Sequence, residues 1–95
     1  MSGQHLYIIQ SAKTGAVKIG RSDNPQKRLE VLQTSNANQL RLLAVFKDKG
    51  CQEKGIHAIV KQYHLSGEWF HYDCLPNLPD WIYELLPFDD RWFMS

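Results

Sequence analysis

Ninety-five residues, 43% apolar and 12% aromatic, are enough to close one hydrophobic core and too few for two, so a single domain over residues 1–95 is expected. The longest apolar run, Leu42–Phe46, falls far short of a bilayer span, and the opening Met-Ser-Gly-Gln-His has no basic stretch leading into an apolar one. A membrane protein and a secretory leader are thereby set aside, and a soluble cytoplasmic protein is the expectation.

The net charge of +1 conceals an imbalance. Residues 1–66 hold ten Lys/Arg against four Asp/Glu, and residues 67–95 hold one against six. A basic face that attracts phosphate is therefore compatible with a near-neutral total, and so is an ordinary solvated surface with uneven charge.

From the N-terminus, Leu6–Ile9 is a short β-branched and aromatic run, Ser11–Gly15 supplies turn chemistry, and Ala16–Ile19 alternates small or apolar residues with Lys18. This spacing predicts a β-hairpin with a loop of about five residues. With Val17 and Ile19 facing inward, the period of two sends Lys18 to the opposite face of the sheet. Gly20 ends the strand. Asn24-Pro25 is a helix start, an N-cap followed by proline in the first helical position, and Leu29 and Leu32 form the apolar stripe of that helix. Thr34–Gln39 reads as a loop, and Leu40–Phe46 as a central strand buried on both faces.

Gln52–His64 spaces Ile56, Ile59, Val60 and Tyr63 as the inward stripe of one longer helix. Glu53, His57, Lys61 and His64 lie along its neighbouring stripe, and Gly55 offers room for another backbone. Gly67-Glu68-Trp69-Phe70 brings two large aromatics that close the core from the side. Trp81, Ile82, Leu85 and Leu86 predict a last short amphipathic helix over Pro79–Leu86. Cys51 and Cys74 suit unpaired thiols in a reducing compartment, with one bridge between them left open. Together with His57, His64 and His71 they invite a zinc reading, but no spacing among them matches the compact ligand pairs of zinc sites.

Several of these residues carry a resemblance. Tyr7 closes His5-Leu6-Tyr7 on the first strand, and Lys18-Ile19-Gly20 stands on the second. Arg28 follows Gly20 by eight residues, Leu32-Gln33-Thr34-Ser35-Asn36 leaves the helix, and Glu53 and His57 share a later helix ahead of Gly67-Glu68-Trp69-Phe70. This ordered set resembles the GIY-YIG nuclease superfamily. The closest likeness is to its compact branch, found in bacteriophage DNA-binding proteins and meiotically up-regulated proteins. His5 and Leu6 replace the Gly and Ile of the first half-motif, and Lys18 replaces the tyrosine of the second. The resemblance implies an α/β (α+β) fold with a small three-stranded, mainly antiparallel sheet flanked by helices, in the order β-β-α-β-α. Its core would run over about residues 6–70, with 71–95 as a C-terminal extension carrying a short strand or helix.

The same resemblance implies a metal-dependent endonuclease that hydrolyses DNA phosphodiester bonds, with Tyr7, Lys18, Arg28, Glu53 and His57 as the catalytic set. Glu53 would hold Mg²⁺ or Mn²⁺, a cation that keeps most of its waters and needs only one or two carboxylates from the protein. Arg28 would grip the scissile phosphate through paired hydrogen bonds. Lys18, Arg21, Lys27, Arg28 and Lys61 would be the nucleic-acid contacts, their affinity falling with salt. For the proton the choice between Tyr7 and His57 stays open, because a phenol needs nearby positive charge to ionise and an imidazole does not. DNA is the implied partner, with neither membrane nor small-molecule cofactor, and the oligomeric state is open. The alternative is a DNA-binding module of the same fold that cuts weakly or not at all. A third reading, an interaction protein, would use the acidic segment from Gly67 onward.

Overall fold

The computed structural model describes residues 3–86. Asp89 and Asp90, which complete the acidic segment, and the end of the 71–95 extension lie outside the described residues.

The hairpin forms as its pattern predicts, except that its second strand runs on past Gly20 to Ser22 instead of ending at the glycine. Strand β1 (His5–Ser11) pairs antiparallel with β2 (Val17–Ser22), setting Tyr7 opposite Gly20, Ile8 opposite Ile19 and Ile9 opposite Lys18. The connecting loop closes on Gly15, whose φ of 79° is a left-handed conformation natural to glycine. Buried Gln10 secures it by donating from Nε2 to the Gly15 carbonyl at 2.9 Å. Because the side-chain period is two, β1 feeds two separate cores. Leu6 and Ile8 join Val17, Ile19, Ile56, Val60 and Phe70 on one face, while Tyr7 and Ile9 join Leu40, Leu29, Leu32 and Trp69 on the other.

Helix α1 (Pro25–Thr34) covers the Tyr7 face through Leu29 and Leu32, as its stripe requires. Asn24 caps it, Oδ1 accepting from the Lys27 N–H at 3.1 Å. Gln33 then ties down the following loop, donating to the carbonyls of Asn36 and Asn38 and accepting from Leu40 N–H. Strand β3 (Leu40–Phe46) starts from that clamp and pairs antiparallel with β1.

Several sequence expectations change here. The sheet has five strands, in the order β3-β1-β2-β5-β4, where three were expected. The additions are β4 (His64–Ser66) and β5 (Trp69–Phe70), too short for any periodicity to announce them. β3 is an edge strand, not the central one: Arg41 and Val45 are exposed, and the doubly buried strand is β1. A run of apolar residues signals burial without saying which neighbour supplies it.

The helix expected over Gln52–His64 is only α2 (Glu53–Ile59), preceded by a 3-10 turn at Gly50–Gln52 and followed by another at Lys61–Tyr63. A continued helix would carry His64 away from the sheet, whereas the chain turns back to lay the β4–β5 hairpin beside β2. Ile59 is left 54% exposed as a result, and Val60 takes the inward position. The close approach of backbones expected at Gly55 occurs at Gly50, whose N–H donates to the Gln4 carbonyl at 2.8 Å; an added Cβ at Gly55 would meet nothing.

The segment after Phe70 is part of the core as far as it is described. A 3-10 stretch, Tyr72–Asn77, and the one-turn helix α3 (Asp80–Tyr83) place Cys74, Leu75, Leu78, Ile82 and Leu86 in the same cluster as Ile8 and Ile56. Trp81 packs edge-on against Phe46, with ring centroids 5.3 Å apart, and Leu85 faces outward. Cys51 is exposed and Cys74 buried, both as free thiols. Burial pushes the Cys74 thiol up to about 12, so it stays protonated and inert. Among the described residues no helix is long and apolar enough to cross a membrane.

Since α1 carries Arg28 one turn beyond its cap, the cap is a sensitive point. Replacing Asn24 by Ala is expected to cost about 1 kcal/mol in urea unfolding, with little change in the slope of the transition.

Candidate active site

Strand β5 is two residues long and meets β2 only at Val17 and Lys18, so among the described residues the rest of β2 has no strand beside it on that edge. Two side-chain-bearing segments meet that edge at Ile19. The Ile19 N–H donates to the Glu68 carbonyl at 3.1 Å, and the Ile19 carbonyl accepts from His57 Nε2 at 2.7 Å. A carbonyl only accepts, so Nε2 carries the proton and Nδ1 of neutral His57 is the nitrogen left to accept one. The His57 ring also rests on Phe70, centroid to centroid 5.0 Å.

One residue further, Gly20 leaves a gap that other side chains fill. A Cβ there would lie 2.5 Å from the Tyr7 hydroxyl and 3.0 Å from Glu68 Oε1. Tyr7 is 1% exposed. Burial raises its hydroxyl above the ordinary range, Arg28 on α1 pulls it down, and negative Glu68 and Glu53 push it up again, leaving it raised. At neutral pH Tyr7 is therefore a neutral phenol.

Lys18 points to the Tyr7 face, as the strand period predicts, but it is not open to solvent. It is buried, its Nζ 3.0 Å from Glu68 Oε1 and 5.8 Å above the Trp69 ring. Arg21 is exposed, with Nε 4.0 Å from Glu53 Oε1. Lys27 and Arg28 are exposed on α1. Lys61 sits in the turn after α2, not on a continuous helical stripe, and lines a pocket of about 300 Å³ with His57, His64, Gly67 and Phe70. Trp69 and Phe70 fall on opposite faces of the sheet and both pack into the cores.

Glu53, the first residue of α2, is only 7% exposed, and its Oε2 has no hydrogen-bond partner among the described residues. A buried carboxylate oxygen without a donor is costly, and a cation is the group that would satisfy it. The donors here are oxygens, which suit Mg²⁺ or Mn²⁺. Among the described residues no three His, Cys, Asp or Glu side chains gather to hold a metal, so the arrangement fits a cation that takes one or two carboxylates from the protein. Glu68 stands in the closing Gly-Glu-Trp-Phe motif, but its residue type and local spacing assign it no role; the turn on Gly67, at φ 54°, brings it beside β2.

Tyr7, Lys18, Arg28, Glu53 and His57 thus come from β1, β2, α1 and α2 to the open edge of β2 around Gly20. Comparison with known families gives one match: the model described as the T5orf172 domain covers residues 4–86. No curated protein and no solved structure matches the chain significantly.

Two outcomes follow from this geometry. Gly20→Ala would press a methyl group into a buried, rigid tyrosine, with an expected loss of about 1–3 kcal/mol by chemical denaturation. Glu53 has its carboxyl raised above the ordinary 4.5, chiefly by burial and then by negative Glu68, against weaker opposite pulls from His57 and Arg21. The folded chain therefore holds the Glu53 proton more tightly than the unfolded one, and stability is lost as pH rises from the ordinary value through the folded one. In metal-free buffer, Glu53→Gln is expected to melt higher than the wild type near pH 7. The two should converge below about pH 4, where both chains carry a neutral group.

Proposed function

Because the chain belongs to the T5orf172 domain family, we propose that it is a metal-dependent endonuclease acting on DNA phosphodiester bonds, of the GIY-YIG type its motifs resemble. The T5orf172 domain is a phage-associated domain of the GIY-YIG-like, nuclease-related fold and is associated with DNA binding. The observation that carries the reading is the Tyr7 hydroxyl in the gap at Gly20, with Arg28 and Glu53, distant in sequence, both near enough to act on its charge.

Hydrolysis of a phosphodiester needs a placed phosphate, an activated water and stabilisation of the charge that develops on the phosphoryl oxygens. Arg28 supplies the first requirement: it is exposed on α1, close enough to Tyr7 to favour the phenol's ionised form, and its guanidinium can present paired N–H groups to a phosphate. A divalent cation held by Glu53 would polarise the phosphoryl oxygen and acidify water. Tyr7, protonated at neutral pH, serves as hydrogen-bond donor to water or phosphate. His57 Nδ1 is the group left to take up a proton, the other ring nitrogen being committed to the Ile19 carbonyl. Lys27 and Arg21 contact flanking phosphates and add affinity without sequence preference.

A second reading, a DNA-binding module with weak or no cleavage, has its own support. Lys18 replaces the family tyrosine and is committed to Glu68, and Tyr7 lacks the lowered pKa that a phenolate base needs. Plasmid nicking with Mg²⁺ or Mn²⁺ separates the two. For a nuclease, Arg28→Ala is expected to lower the rate by roughly 10²–10³-fold and Glu53→Ala by at least as much, while Lys27→Ala weakens binding and flattens its salt dependence. Equal cleavage by all four proteins would sink the assignment. Salt-dependent DNA binding with no nicking under either metal would favour the second reading.

A further inference from the structure

Glu68 has no part in the roles assigned so far, yet its carboxylate occupies the centre of the site. Its Oε1 lies 3.0 Å from Lys18 Nζ and within 3.0 Å of where a Gly20 Cβ would stand, so it uses the same gap as the Tyr7 hydroxyl. It arrives there by construction. The Gly67 turn and the pairing of the Glu68 carbonyl with Ile19 N–H fix its backbone against β2, leaving the side chain directed over Gly20.

On the other side stands Glu53, its Oε1 4.0 Å from Nε of Arg21, the residue after Gly20, and the negative charge of Glu68 is near enough to raise its carboxyl. When ionised, both are acceptors only, so their adjacency gives neither a donor and sets like charges together. Glu53 Oε2 consequently has no partner, although Glu53 is 7% exposed. The nearby cations do not resolve this. Lys18 neutralises Glu68 at 3.0 Å, and Arg21 stands 4.0 Å from the other Glu53 oxygen. A divalent cation between the carboxylates would satisfy both and complete an all-oxygen pair of the kind Mg²⁺ accepts.

We propose that Glu68 is a second protein ligand for the divalent cation, sharing it with Glu53, and that Lys18 holds the Glu68 carboxylate until the cation takes over its charge. The purpose given to that cation rests on the nuclease reading, whereas the binding itself does not.

The test is a Mn²⁺ titration of the full chain without DNA, following the free-ion signal by electron paramagnetic resonance. The wild type is compared with Glu53→Gln, Glu68→Gln and Lys18→Gln, each checked for folding by circular dichroism. Both glutamine replacements of the carboxylates should weaken Mn²⁺ binding by more than about 100-fold, beyond the roughly 10–100-fold that removing a merely supporting group costs. Lys18→Gln should tighten it, because the competing cation is gone. If Glu68 served only as an ion-pair partner, Glu68→Gln and Lys18→Gln would break the same contact and move Mn²⁺ affinity alike, which overturns the proposal. Glu68→Asp, which keeps the charge, should recover part of the affinity. Plasmid nicking run in parallel separates the two levels. A wild type that nicks, with a Glu68→Gln variant of undiminished Mn²⁺ affinity, overturns the Glu68 proposal and leaves the nuclease reading standing. A wild type that binds Mn²⁺ through both carboxylates but never nicks supports the Glu68 proposal and removes the nuclease reading.

Discussion

The contact of the Tyr7 hydroxyl with a position that has no side chain organises the rest of the site. Strand β1 is buried on both faces, so Tyr7 has no freedom to swing out, and its ring ends where the β1–β2 register places Gly20. Any larger residue at Gly20 would displace the phenol. The same gap admits the Glu68 carboxylate from the neighbouring hairpin. One missing Cβ thereby lets groups from α1, β1 and the β4–β5 turn approach one another across a sheet that would otherwise separate them.

Electrostatically the site is poised rather than settled. Five charged side chains, Lys18, Arg21, Arg28, Glu53 and Glu68, share this region, and only the Lys18–Glu68 pair has close ion-pair geometry. Glu53 is held ionisable in a buried place that disfavours its charge, which lowers the stability of the folded chain at neutral pH. Retaining such a group is the trade between stability and activity familiar from functional sites, where the ligand restores what the empty fold lacks. On the nuclease reading proposed above, a phosphate and a divalent cation together would pair the remaining charges.

His57 answers two demands at once. Where β5 stops, the Ile19 carbonyl faces an edge with no strand to pair it, and His57 Nε2 takes the place of the missing backbone donor. That bond also fixes the tautomer, directing the ring's accepting capacity to Nδ1. A residue that caps a sheet edge and, on the nuclease reading, would also handle a proton is difficult to dissect by simple deletion, because its loss damages structure and chemistry together.

The sequence by itself determined the hairpin, the proline-led helix and its leucine stripe, the sidedness of Lys18, and the ordered set of Tyr7, Arg28, Glu53 and His57. These follow from local rules: a period of two, a cap followed by proline, and motif spacing along one chain. Tertiary structure decided what those rules do not reach. Leu40–Phe46 is apolar whether central or at an edge, and only strand order distinguishes the two. The Ile59 position was consistent with a continuing helix until the chain had to turn back to pair His64–Ser66 with Trp69–Phe70. Lys18 reads as a phosphate contact until Glu68, fifty residues later in the chain, is folded onto it at 3.0 Å. That pairing is a contact between residues far apart in sequence, and neither residue's type nor its local spacing encodes the distance between them.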